Sequence, residues 1–197
     1  MENKEEKLNI EPVVKYIGAG KQTLSQKSEL VTDFGDNLQK LVQKLANTAY
    51  FYGAVGISAI QIGIPLSVCL IGVSKQNSAV LVNPQIISAS DEQVVENEGC
   101  LSFPEIFTAV SRPKEIRVKF QEQDGTEKEL DLQGIFARIA LHEISHISGK
   151  TMLDNVSQLK RNIILGKMKR ITKNGKIKHD ERVLTAISEM AEKEDEQ

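Results

Sequence analysis

Apolar and polar positions change period along the chain. Between Asp36 and Tyr52, Leu38, Leu41, Val42 and Leu45 recur at helical spacing, with Asp36 or Asn37 available as a cap. Gly53, Gly56 and Gly63 then break the chain and favour loop or bulge geometry. Leu66–Val73 and Ala79–Val82 are short β-rich runs. The polar Ser74–Ser78 between them predicts a hairpin, and Asn83-Pro84 ends the second run. Further strands are expected near Gln85–Ser88, Glu115–Gln121 and Lys128–Leu132, with Asp124-Gly125 turning between the last two. From Gly134 the period becomes helical, carried by Ile135, Ile139, Leu141, Ile144 and Ile147, and Gly149 can stop it. Another helix is expected over Ser157–Ile171, ended by Asn174-Gly175.

These elements predict an α+β architecture: small antiparallel sheets packed around one central helix, with a C-terminal helix. Residues 1–11 read as a polar lead, 12–174 as the main folded domain and 175–197 as a charged tail. In that tail Val183, Leu184, Ile187 and Met190 can make a short amphipathic helix.

The 197 residues suffice for one domain with a real core. A net charge of -2 gives no overall basic field to hold nucleic acid, so no direct sequence-specific nucleic-acid partner is expected. No apolar run is long enough to span a bilayer, and the charged start has no apolar core of a secretory kind. The expected address is the cytoplasm, or an organelle if a leader has been removed. Of the two cysteines, Cys69 lies in the apolar run Leu66–Val73 and reads as an inert core thiol. Cys100 follows an acidic stretch and a glycine, a less usual setting for a core residue.

His142-Glu143-Ile144-Ser145-His146 has the form H-E-x-x-H. On a helix, positions i and i+4 share a face, so both imidazoles can reach one metal ion, and Glu143 stands where it can take a proton from water activated there. A catalytic site usually has a third protein ligand. His179, in the charged tail, is a poor candidate; Cys100 is a better one, because a thiolate binds Zn or Fe strongly and Gly99 lets the backbone approach. Taken alone, Cys100 is equally well read as a buried structural thiol.

Glu98-Gly99-Cys100-Leu101-Ser102, followed by His142-Glu143-Ile144-Ser145-His146 and preceded by Gly56-Ile57-Ser58-Ala59-Ile60-Gln61, resembles the three motifs of the peptide deformylases. The resemblance runs from about Val13 to about Lys173 and includes Arg112-Pro113, Ala137-Arg138 and the run Asp154–Arg170. It implies removal of the N-formyl group from the initiator formyl-methionine of nascent polypeptides, with formate as product. It also implies one divalent metal, often Fe(II), with Zn, Ni or Co able to occupy the site. Carried over, Cys100, His142 and His146 are the ligands and Glu143 the base and later acid. Gln61 and the backbone N–H of Leu101 would support the developing oxyanion. An extended substrate would pair with Val55 and Gly56 on one side and Gly99 on the other. Its methionine would enter an apolar pocket made partly by Ile135 and Ile139.

Four positions depart from the family pattern. Ala54 and Ser58 stand where the first motif usually has Gly and Ala, Leu141 where Gln precedes the first histidine, and Ser145 where Asp precedes the second. None is a ligand or the base. Two other readings stay open: a deformylase-like protein with weak or lost turnover that binds nascent N-termini, and a zincin-type metallopeptidase. The basic 160–178 region (Lys160, Arg161, Lys167, Lys169, Arg170, Lys173, Lys176 and Lys178) reads as a solvated helix face, with docking to the ribosome as its functional alternative.

Overall fold

The computed structural model describes residues 9–74 and 78–173. The polar lead up to residue 8, His179 and the tail helix expected around Val183–Met190 lie outside the described residues.

In chain order the elements are α1 (Ala19–Leu24), α2 (Asp36–Tyr52), β1 (Gly56–Ser58), a 3-10 turn (Ala59–Ile62), β2 (Val68–Ile71), β3 (Ala79–Ala89), β4 (Gln93–Cys100), β5 (Phe103–Pro113), β6 (Glu115–Gln121), β7 (Glu127–Gln133), α3 (Gly134–Ile147), a second 3-10 turn (Met152–Asn155) and α4 (Gln158–Lys173). Five strands form an antiparallel sheet in the order β1-β2-β3-β6-β7, and β4 and β5 form a separate antiparallel pair. The architecture is the expected α+β one, with α3 at its centre.

The alternation of β2 explains why α3 is central. Val68 and Leu70 point to a core shared with Leu38, Leu41 and Leu45 of α2. Cys69 and Ile71 point the other way, to a core shared with Ala137, Ile139, Ala140 and Ile144 of α3. Successive strand side chains take opposite faces, so one strand serves two helices. A third core joins Tyr16, Leu24, Phe103, Val110, Met168 and Ile171, tying β5 and α4 together. Leu141, Ile144 and Ile147 are plain core, as is Cys69.

Three local expectations are corrected. Gly56 is a strand residue opposite Ile71, not loop. The cap of α2 is Gly35, whose N–H bonds Asp33 Oδ1 at 3.0 Å, while Asp36 opens the first turn. Asn83-Pro84 does not end a strand: β3 runs through it with a register shift between Val82 and Gln85. There Asn83 has φ of 52° and its amide both accepts from Val31 N–H and donates to Val31 C=O, each at 2.9 Å. The side chain thus replaces the ladder bonds that the bulge and proline remove. Finally, the β4–β5 hairpin was not expected at all, since β4 carries Glu96, Asn97 and Glu98 and lacks a clean apolar alternation.

Candidate active site

Each proposed ligand sits on an element that the packing holds firmly. α3 is buried over almost its whole length, and His142 and His146 lie one turn apart on it with ring centroids 5.0 Å apart. Cys100 is the last residue of β4. Its Sγ lies 3.3 Å from His146 Nε2, and one ligand atom from each of Cys100, His142 and His146 falls within 4.8 Å of the others. One sulfur and two imidazole nitrogens converging in this way suit Zn or Fe(II). The residues therefore fit a divalent metal by the chemistry of the donor set. His179 is outside the described residues.

Glu98 organises this cluster, two residues before Cys100 and on the same side of β4. Its Oε2 is 2.9 Å from His142 Nδ1, which leaves His142 Nε2 to face the ligand cluster. Arg112 grips the same carboxylate with two bonds of 2.8 and 2.9 Å, and Arg138 adds a third from Nη1 at 2.7 Å. Both guanidiniums are also bonded to backbone carbonyls, Arg112 to Leu141 and Arg138 to Val94 and Val110, and Arg138 pairs with Glu96. All three central side chains are buried, so the network satisfies charges that would otherwise be costly to bury. Burial alone would raise the Glu98 carboxyl, but bonds from Arg112 and His142 hold it well below the usual carboxylate range.

The thiol and imidazoles are mutually polarised. Burial works against ionising Cys100, yet the charges and bonds of His146 and His142 pull its thiol well below the usual value. Burial likewise opposes protonation of His142, and its bonds to Cys100 and Glu98 push it up to about 10. A thiolate stabilised beside imidazole is the form that binds metal, which takes the place of the proton. Cys69 is the opposite case: burial pushes its thiol well up and keeps it inert.

Glu143 is buried beside the candidate ligands, and its Oε2 has no partner among the described residues. Burial raises its carboxyl, against the lowering influence of His142 and His146. Gly56 makes room for it: a Cβ on Gly56 would stand 2.7 Å from Ile139 Cγ2 and 2.9 Å from Glu143 Oε1.

A cavity of about 400 Å³ opens over this floor. Val55 and Gly56 line one side, Gly99 the other, and Ile135, Ile139 and Phe107 supply apolar wall. β1 is the outer strand of its sheet and β4 pairs only with β5 among the described residues, so both present an open edge. Gln61 and Leu101 also line the cavity. Gln61 Oε1 accepts from the N–H and hydroxyl of Ser58 at 2.9 and 3.0 Å, and its Nε2 is 3.6 Å from Cys100 Sγ. Three of the four departures take clear places. Ser58 holds Gln61, Ser145 Oγ accepts from Arg112 at 3.2 Å, and Leu141 fills core.

Every anticipated site residue except His146 lines this one cavity, and the fully buried His146 lies beneath it against Cys100 Sγ. Sequence reasoning did not assign roles to Glu98, Arg112 or Arg138. No local signal marked them: Glu98 lies in a polar, mostly exposed strand, and its partners Arg112 and Arg138 are 14 and 40 positions away.

The polypeptide deformylase family model matches residues 10–162. The peptide deformylase of Bartonella quintana is 37% identical over 154 residues, covering 76% of this chain and 88% of that protein. That of a Thermotoga species is 38% identical over 157 residues, covering 80% and 95%. Among solved structures, a peptide deformylase from Legionella pneumophila superposes with a TM-score of 0.78 at 29% identity, covering 85% of this chain and 98% of that one. One from Ehrlichia chaffeensis, solved in complex with actinonin, gives 0.76 at 29% identity, covering 82% and 97%. With the family match spanning most of its length, the chain belongs to the peptide deformylase family.

Proposed function

We propose that this chain removes the formyl group from formyl-methionyl nascent peptides with Cys100, His142 and His146 as metal ligands and Glu143 as acid–base group. The observation that carries the residue assignment is the meeting of one cysteine sulfur and two imidazoles beside a buried carboxylate that has an uncommitted oxygen. A divalent metal, Fe(II) by family resemblance and Zn, Ni or Co as substitutes, would supply Lewis acidity that brings water deprotonation into the neutral range.

The rest of the chemistry belongs to the chain. An extended substrate pairs its backbone with the open edges at Val55–Gly56 and Gly99, which suits an enzyme that must accept many sequences. Its methionine side chain enters the apolar wall at Ile135 and Ile139. Glu143 takes a proton from water, whose oxygen attacks the formyl carbon. Negative charge grows on the formyl oxygen, toward the Gln61 amide and the Leu101 N–H. A single fixed donor of this kind can contribute about 3 kcal/mol. Glu143 then gives its proton to the amine as the C–N bond breaks, leaving formate and a free N-terminus. The raised Glu143 carboxyl suits both roles, because acid–base groups work best near the ambient pH.

The domain carrying this site is taken as 12–174. The reaction is assigned to the compartment where formylated chains are made, cytoplasm or organelle. Docking to the ribosome through the 160–178 region has less support, since Lys160 and Lys167 of α4 donate to the backbone carbonyls of Ala109 and Glu105. No feature favours the zincin or turnover-free readings.

The test is formate release from formyl-Met-Ala-Ser by anaerobically prepared protein, with metal content measured on the same sample. One metal per chain and sustained release are expected. Cys100→Ser should lose metal and Cys69→Ser should not; equal retention by both would reject the ligand assignment.

A further inference from the structure

The extended segment before α1 runs between the two elements that carry the proposed oxyanion donors. Val14 N–H donates to the carbonyl of Gln61 at 2.7 Å, and Tyr16 N–H donates to the carbonyl of Ser102 at 2.9 Å. Between them, Lys15 Nζ donates to the carbonyl of Leu101 at 3.2 Å. One tripeptide therefore bonds both the Gln61 turn and the Leu101–Ser102 turn, whose Gln61 and Ser102 are 41 positions apart in sequence.

The segment is itself anchored. Val13 and Tyr16 are buried, and the Tyr16 ring stacks on Phe103 with centroids 4.8 Å apart. Lys15 is only 7% exposed, lines the cavity, and holds its ammonium 5.6 Å from the centroid of the Tyr52 ring. A lysine is rarely buried unless its charge is satisfied. Here the charge is satisfied by a carbonyl of the very turn that presents the Leu101 N–H, and by an aromatic face.

The geometry points to Val14–Tyr16 as a strap that fixes the Gln61 amide and the Leu101 N–H relative to one another, with Lys15 as a positioning residue for the deformylation step. The inference rests on the oxyanion roles given above to Gln61 and Leu101. The two backbone bonds hold the ends of the strap, and the Lys15 side chain holds Leu101 itself. Oxyanion donors act because they are fixed before charge develops, so releasing the Leu101 turn should slow chemistry more than it weakens substrate binding.

The experiment compares Lys15→Met, Lys15→Gln and Lys15→Arg in the metal-loaded full chain, with formyl-Met-Ala-Ser as substrate. Methionine fills the space without a donor, and glutamine is too short to reach the Leu101 carbonyl. Both should lose kcat by on the order of 10-fold, with KM within about 2-fold and metal content unchanged, since small misplacements of reacting groups cost rate of this order. Lys15→Arg should recover kcat to within about 3-fold of the unmodified protein. A merely structural lysine would instead lower the melting temperature and leave kcat untouched below it. If Lys15→Met does not fold, Lys15→Gln carries the comparison. Unchanged kcat in the folded variants, or a loss confined to KM or to metal content, overturns the strap. If the unmodified, metal-loaded chain releases no formate, the assigned activity fails and the strap fails with it.

Discussion

The Ser58 hydroxyl donates to Gln61 Oε1 at 3.0 Å, and the Ser58 N–H donates to the same oxygen at 2.9 Å. With the amide oxygen doubly held, the amide nitrogen must point toward Cys100 and Ser102. Ser58 stands where the family usually has alanine, so the hydroxyl is an extra tether at this position rather than a loss. A capping box closes the same turn, with the Ser58 side chain accepting from Gln61 N–H.

Removing that tether should have a small, readable effect. Ser58→Ala deletes the hydroxyl's bond to Gln61 Oε1 and its acceptance from the Gln61 N–H, each worth about 0.5–1.5 kcal/mol. Formate release should fall a few-fold through kcat, with metal content unchanged. A faster Ser58→Ala enzyme would show that the serine restrains Gln61 in a poor orientation.

Glu98 ties stability to pH. Its carboxyl is held below the ordinary value by Arg112 and His142, against burial. A folded-state value below the unfolded one means that the stabilisation is fully present above the ordinary carboxylate value of about 4.3 and is lost as pH falls toward the folded value. Glu98→Gln, which leaves two buried guanidiniums underpaired, should lose about 3–5 kcal/mol at pH 7. Denaturant unfolding at pH 7, 5, 4 and 3 should show the gap between the two proteins narrowing only below about pH 4.3. A gap that is constant over this range would place the Glu98 charge outside the balance.

Gly56 should tolerate no side chain. An added Cβ meets Ile139 and the Glu143 carboxylate at 2.7 and 2.9 Å, so either β1 shifts or Glu143 turns away. Displacing a catalytic group by about 1 Å can cost on the order of 10²-fold in rate. Gly56→Ala should therefore lose kcat/KM by that order; full activity would mean that Glu143 has room to spare.

How much of this was legible in the sequence follows from which interactions are local. α2 and α3 could be read because Leu38, Leu41, Val42 and Leu45, or Ile135, Ile139 and Ile144, repeat at the helical period. The H-E-x-x-H ligands share a face for the same local reason. The β4–β5 hairpin could not be read, because Glu98 is buried only by virtue of Arg112 and Arg138, 14 and 40 positions away. No local pattern signals such a pairing. Asn83-Pro84 misled for a related reason: the bonds that carry β3 past it come from Val31, 52 positions earlier. Cys100 became a convincing ligand candidate only through the family motif, and Lys15 gave no sign at all, since its partner carbonyl lies 86 positions away.

The central claim is that Glu143 moves the proton while Cys100, His142 and His146 hold the metal, and Glu143→Gln separates the two roles. The variant keeps the size of the side chain and removes the base. Formate release from formyl-Met-Ala-Ser should fall by on the order of 10²–10⁴, with one metal per chain still bound. Near-normal release by a metal-loaded Glu143→Gln protein would contradict the account.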